Sequence, residues 1–213
     1  MFNFKYYDVQ QNTDEWFKMR SGKLTSSKLG TIMANFGKAF GDPAKKYAVN
    51  IAVEQINGES IDNGFSNGHM ERGHEQEPTA RMLYELETFC EVKNGGFFGS
   101  DLIGCSPDGL PENGVIEIKS VIPSAHYANL KRQSFDPAYK WQCIGNLMFT
   151  GRDWIDFVSY CSEFPEEKQL FVHRGFKEDF TDEFEKIEFR ISEFMELISS
   201  TKELILNSSY FNQ

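Results

Sequence analysis

The spacing of apolar positions changes period several times along this chain. From Val115 to Ser120 it alternates, with Ile116 and Ile118 on one side and Glu117 and Lys119 on the other, the two-residue period of a strand. Pro107, Gly109, Pro111, Asn113 and Gly114 supply turn chemistry just before it. Gly104 to Ser120 therefore predicts a β-hairpin with Asp108 at the end of its first arm. Near the other end, Phe180, Phe184, Ile187, Ile191, Phe194, Ile198 and Ile205 follow a four-three spacing broken at Thr201. This predicts a helix over 181–206 with one apolar stripe, which serves packing on the protein's own sheet or a subunit seam.

Between these ends the signals are mixed. Thr13 is placed to cap a short helix carrying Trp16 and Phe17, with Arg20 in its last turn and Gly22 beyond. Thr25 or Ser26 caps a second helix through Met33. Asp42-Pro43 starts a third that stops at Gly58. Residues 59–68 read as a loop. A helical segment over 69–88 is interrupted at Glu77-Pro78, where proline predicts a kink or restart. Glu71, Glu75 and Glu77 crowd its front, and Met82, Leu83 and Leu86 are expected to face the core. Residues 123–137 read as a polar connection. A helix over 138–149 puts Tyr139, Gln142, Cys143 and Asn146 on one face. Strands follow over 153–161 and 168–176, with Glu166-Glu167 in the turn between them. Strands alternating with helices make this an α/β chain, with no internal repeat.

Composition narrows the class. The 213 residues are 40% hydrophobic and 25% charged, with twenty Phe, as expected for a globular chain with an aromatic-rich core. No apolar run reaches membrane-spanning length, so no membrane partner is expected. The N-terminal segment has no signal-peptide pattern. Cys90, Cys105, Cys143 and Cys161 form no C-x-x-C pair, which argues against a zinc ribbon or an iron–sulfur cluster. A cytoplasmic protein with free thiols is the default. The net charge of −10 counts against a nucleic-acid partner, but residues 17–46 hold seven bases and one acid. Such a segment can receive a phosphate backbone, or it can be a solvated helix face.

The hairpin carries the candidate chemistry. Two carboxylates, Asp108 and Glu117, with the Lys119 ammonium one pleat further on, suit metal-assisted phosphodiester cleavage. Mg²⁺ takes one or two carboxylates plus phosphate and water, and a lysine can orient that water or offset transition-state charge. The same residues also fit a surface hairpin with a Glu–Lys pair on its wet face. Glu77, beside its proline, fits either a metal ligand or a solvated acidic helix face. The Thr25–Ser27 turn fits either an anion site or plain capping.

Four segments then carry a resemblance. They are Trp16 to Ser27, Arg72 to Glu85, Gly104 to Lys119 with its Ser-Pro-Asp-Gly-Leu and Glu-Ile-Lys, and Tyr139 to Tyr160 with Gln142, Thr150-Gly151 and Trp154. In this order they resemble the lambda-exonuclease (YqaJ-type viral recombinase) family, a branch of the PD-(D/E)XK nuclease superfamily, over most of residues 10–200. The resemblance implies a restriction-endonuclease-like core, a central mixed β-sheet flanked by helices. It implies one exonuclease domain over 1–213, with a helical part at about 10–90, a catalytic sheet with helices at about 95–178 and a C-terminal helix at about 180–206. The implied activity is Mg²⁺-dependent 5′-to-3′ degradation of one strand of linear duplex DNA, leaving 3′ overhangs for recombination by strand annealing. Asp108, Glu117, Glu77 and the Ile118 main-chain carbonyl would be metal ligands for two ions, with Mn²⁺ able to substitute. Lys119 would activate the water and Gln142 would orient the lysine, the water or the DNA. Arg20, Ser27 and Ser106 would bind the 5′-phosphate. The implied partners are double-stranded DNA ends, a single-strand annealing protein and further copies of the chain in a trimeric ring. A phage-encoded member would act in the cytoplasm of its bacterial host. An endonuclease on the same core and a non-catalytic DNA-end-binding protein are the alternatives. Pro78, directly after Glu77, departs from the family pattern.

Overall fold

The computed structural model describes residues 3–61 and 68–209. In chain order the elements are β1 (Lys5–Tyr7), α1 (Asp14–Arg20), β2 (Leu24–Thr25), α2 (Leu29–Met33), α3 (Asp42–Asn57), α4 (Gly68–Thr88), β3 (Val92–Lys93), β4 (Phe97–Gly99), β5 (Ile103–Cys105), β6 (Leu110–Pro111), β7 (Gly114–Ser120), α5 (Pro123–Arg132), α6 (Lys140–Thr150), β8 (Trp154–Tyr160), β9 (Leu170–Phe176) and α7 (Thr181–Asn207). A 3-10 turn, Ser26–Lys28, joins β2 to α2.

The central sheet is mixed. β7 and β8 pair in parallel, in register from Gly114–Trp154 to Ser120–Tyr160, and β9 adds antiparallel to β8. The α5–α6 crossover joins the parallel pair, as parallel strands require. Every residue of β8 is buried, because helices cover both faces. α4 packs on one face of β7, and α6 packs on β7 and β8 from the other. A second sheet, in the order β1-β4-β5-β2, carries the N-terminal strands.

The predicted hairpin is modified. β5 belongs to the second sheet, pairing with β4 and β2, so residues 104–105 do not form an arm against β7. The hairpin begins later, where Gly109 bridges Ile116. Glu117 is fully buried, not on a wet face, because α6 lies over it. Residues 123–132, expected as a connection, form helix α5. It starts with Pro123 in its first turn and ends with Lys131 and Arg132. Its two fully buried side chains are polar: His126 meets Ser159 Oγ at 2.9 Å and the Lys168 carbonyl at 3.0 Å, and Asn129 donates to Ser159 at 3.1 Å. Apolar periodicity cannot register such a face.

α4 runs through Pro78 as one continuous helical segment, so the expected restart does not occur. Proline removes a ladder hydrogen bond, and the sheet contacts of Ala80 and Tyr84, both fully buried, hold the helix together. Met82 and Leu86 are exposed instead of facing the core. The inward face is set by a polar anchor. The Tyr84 hydroxyl donates to Asp156 Oδ2 at 2.7 Å, and Arg174 donates to the same buried carboxylate through Nε at 2.8 Å and Nη2 at 2.7 Å. The Arg174 guanidinium in turn lies 3.7 Å over the Trp154 ring. Glu71 lies outside the described side chains.

α7 buries its predicted stripe at Ile187, Ile191, Phe194 and Ile198, against helices α3, α2 and α6 where packing on the sheet was expected. Arg190, on the same helix and almost fully buried, donates to the Ile32 carbonyl at 2.7 Å and lies 3.6 Å over the Phe40 ring.

Candidate active site

The hairpin turn brings Asp108 to the free edge of β7. The Asp108 N–H donates to the Ile116 carbonyl at 3.1 Å, and the Ile116 N–H donates to Gly109 at 3.0 Å. One pleat on, the Ile118 N–H donates to Asp108 Oδ2 at 2.6 Å. The N–H and C=O of one strand residue point to the same edge, so the Ile118 carbonyl faces the side where Asp108 sits.

Glu117 and Lys119 point to the opposite face of β7 from Ile118, under α6. Gln142 and Asn146, one turn apart on α6, meet the two oxygens of Glu117. Gln142 Nε2 donates to Oε1, and Asn146 Nδ2 donates to Oε2 at 2.6 Å. Lys119 Nζ also donates to Oε1 and lies 5.1 Å from the centre of the Tyr139 ring. The third carboxylate comes from α4. Glu77 pairs with Arg81 at 3.2 Å, and Arg81 donates to the Asp108 carbonyl as well. Arg81 thus ties the acid on the helix to the acid on the hairpin.

Burial, reinforced by the Asp108 charge, pushes the Glu117 carboxyl up to about 8 and the Glu77 carboxyl up to about 7. Burial pulls Lys119 down, but the Glu117 and Asp108 carboxylates outweigh it and hold the ammonium above its ordinary range. The site is short of positive charge. Among the described residues no three acidic, histidine or thiol groups are gathered into a ready-made metal cage. A carboxylate offers about four lone-pair sites, so the three donors on Glu117 leave room for one more partner. Asp108, Glu117, Glu77 and Ile118 line one cleft, and their carboxylate and carbonyl oxygens are the donor type that a magnesium-like ion takes.

The other flank is built by α1 and the turns after it. Ser106 Oγ accepts from Trp16 Nε1 at 2.8 Å and from Arg20 Nη1 at 3.2 Å, and the Arg20 guanidinium lies 4.1 Å over the Trp16 ring. The turn after Arg20 is pinned by α3: Glu54 Oε2 accepts the Gly22 N–H at 2.7 Å, and Gln55 donates to the Gly22 carbonyl at 2.9 Å. Thr25 makes no capping bond to the turn that follows it. Its hydroxyl meets Ser27 Oγ at 3.1 Å.

One cleft of about 550 Å³ collects all of these groups: Arg20, Ser27, Glu77, Ser106, Asp108, Glu117, Ile118, Lys119 and Gln142 all line it. The structure adds Asn146, Arg81 and Tyr139 to the polar surroundings of the carboxylates. Asn146 shared the predicted face of α6, and Arg81 follows Glu77 at the four-residue helical spacing. Only their partners were hidden.

Residues 15–153 match the YqaJ-like viral recombinase domain. An alkaline exonuclease, LHK-Exo, from Laribacter hongkongensis superposes with a TM-score of 0.79 at 30% identity, over 91% of this chain and 96% of that one. LHK-Exo in complex with dAMP gives 0.80 at 31% identity over the same shares. A phage related exonuclease from Haemophilus somnus 129PT has the same fold, with a TM-score of 0.68 at 17% identity over 88% of this chain and 96% of that one. No curated protein matches significantly. The fold is restriction-endonuclease-like, and the chain belongs to the YqaJ-like viral recombinase domain family.

Proposed function

We propose that this chain is a Mg²⁺-dependent exonuclease that degrades one strand of linear duplex DNA from its 5′ end, leaving 3′ overhangs for phage-type recombination by strand annealing. One observation carries the reading: the carboxylate–lysine cluster and the Arg20–Ser106 pair line a single cleft. Asp108, Glu117, Glu77 and the Ile118 carbonyl would hold the metal. When bound, Mg²⁺ lowers the pKa of a coordinated water and offsets charge on the attacked phosphate. Lys119 directs its ammonium at the water or at the developing charge. Gln142 and Asn146 fix the plane of the Glu117 carboxylate, and through it the position of Lys119. Arg20, stacked on Trp16, offers a rigid guanidinium to the terminal 5′-phosphate, with Ser106 and Ser27 adding hydroxyls. Holding that phosphate sets the next scissile bond over the carboxylates, and each cut creates a new 5′-phosphate for the same pocket. A single-strand annealing protein and a ring of three copies belong to this reading as partners.

The test is end-labelled linear duplex, with and without a 5′-phosphate, beside closed circular duplex, each incubated with Mg²⁺. The reading expects mononucleotides from the labelled 5′ end, faster from phosphorylated ends, and an intact circle. Cleavage of the circle would make the enzyme an endonuclease. No cleavage with either Mg²⁺ or Mn²⁺ would make it a DNA-end-binding protein.

A further inference from the structure

Where α4 crosses the end of β7, three buried polar atoms have no hydrogen-bond partner among the described residues: Arg72 Nε, Gln76 Oε1 and Ser120 Oγ. Buried polar atoms are normally paired, so a cluster of such atoms points to something that binds there. Arg72 and Gln76 are one turn apart on the same face of α4. Arg72 and Ser120 also line the cleft. They stand past Lys119 along β7, whereas Arg20 and Ser106 stand on the flank beyond Asp108. Arg72 Nη2 donates to the Val121 carbonyl at 3.2 Å and to Glu163 Oε2 at 2.6 Å. Glu163 is about half exposed, with a side-chain accessibility of 46%. It is an acidic oxygen group held against a guanidinium at a cleft proposed to take a polyanion.

We infer that Arg72 and Ser120 form a second phosphate subsite, which takes the phosphodiester on the 3′ side of the scissile bond, and that Glu163 occupies Arg72 until DNA displaces it. The inference rests on the exonuclease reading above. With the 5′-phosphate held at Arg20 and the scissile bond at the carboxylates, the strand still to be degraded leaves past Lys119, toward Arg72. An anionic phosphate oxygen satisfies the Arg72 Nε donor and accepts the Ser120 hydroxyl, the two hydrogen-bond donors among the three unpaired atoms. The guanidinium fork suits such a group better than an ammonium would. The subsite positions the strand and takes no part in bond breaking.

The probe is a 5′-phosphorylated linear duplex in which the second linkage from the 5′ end is a neutral methylphosphonate, compared with the all-phosphate duplex. The readout is removal of the first nucleotide in Mg²⁺. Wild type should lose roughly tenfold or more in kcat/KM on the neutral linkage, the range of one charge-assisted hydrogen bond. Arg72→Ala should show that loss on the all-phosphate duplex and no further loss on the neutral one. Ser120→Ala should show a smaller change of the same kind. Glu163→Gln should lower KM for the all-phosphate duplex several-fold, since it removes the competitor; a merely structural ion pair predicts no gain. Wild type that ignores the neutral linkage, variants that keep the wild-type ratio, or a Glu163→Gln enzyme with raised KM would each overturn the subsite. A wild type that degrades no linear duplex would instead overturn the exonuclease reading beneath it.

Discussion

Replacing Glu117 by Gln removes the most deeply buried charge of the cleft and keeps its shape. The effect to look for is a change in how stability depends on pH. In the fold the Glu117 carboxyl is pushed up to about 8 by burial and by Asp108, while the unfolded chain releases that proton near the ordinary value of about 4.3. Between those values the folded state holds the extra proton, so stability falls as pH rises, and the loss ends above the folded value. From pH 7.0 to 8.5 the linkage integral gives a loss of about 1.2 kcal/mol from this group. At roughly 2–4 °C per kcal/mol for a chain of this size, this group alone should lower the melting temperature of metal-free protein by about 2–5 °C at pH 8.5. Glu77, pushed up to about 7 by burial and by Asp108, adds a smaller loss of about 0.4 kcal/mol over the same window. Burial lowers His126 and His173, whose effect is spent below about pH 7. Lys119 is held above its ordinary range, so its stabilisation is present throughout and lost only at higher pH. The thiols of Cys105 and Cys143, raised by burial and then by the Glu117 charge, begin to add their own loss only near the top of the window, and less of it in Glu117→Gln. Thermal melts in chelator at four pH values, wild type beside Glu117→Gln, isolate the term. The wild-type slope should exceed the mutant slope by the amount above. Equal slopes, or a wild type that gains stability with pH, would refute the buried-charge account of the cleft.

Three further outcomes follow from the same geometry. Asn146→Ala should raise the Mg²⁺ concentration needed for half-maximal nuclease activity by about tenfold, because Glu117 Oε2 loses its fixed donor, while activity at saturating Mg²⁺ falls less; an unchanged Mg²⁺ titration would remove that role. Lys119→Arg should not restore the turnover lost in Lys119→Ala, since the planar guanidinium has a different reach and keeps its proton, and single-turnover cleavage decides it. Arg20→Ala should abolish the preference for 5′-phosphorylated over 5′-hydroxyl ends with a smaller effect on the chemical step; a mutant that keeps the wild-type ratio would make Arg20 a brace for Ser106 only.

Asp108, Glu117 and Lys119 were legible because they lie within one turn and one strand, where local spacing settles who can meet. Gln142 and Asn146 were legible as a helix face, but their target was not, since a face says nothing about what lies beneath it. Burial of Glu117 was illegible for the same reason: alternation marks two sides of a strand, and only α6 decides that the second is dry. α5 escaped notice because its inward residues, His126 and Asn129, are satisfied by hydrogen bonds instead of apolar contact. The register of α4 was misjudged because Met82 and Leu86 looked like a core face, while the chain spends Tyr84 on a buried carboxylate. Strands of two or three residues, such as β2 and β6, are too short to leave a period at all.

The Tyr84–Asp156–Arg174 contact has a consequence for motion. If α4 lifted from the sheet, Asp156 would lose its hydroxyl donor inside a sealed interior, and a half-satisfied buried carboxylate costs several kcal/mol. Fraying of α4 from its Tyr84 end is therefore disfavoured, and the amides of its second half should exchange with solvent at the pace of β8 and β9, as one cooperative unit. The part of the helix after Pro78, which carries Arg81, then behaves as a fixed wall, and a DNA strand must enter and leave past it without waiting for it to open.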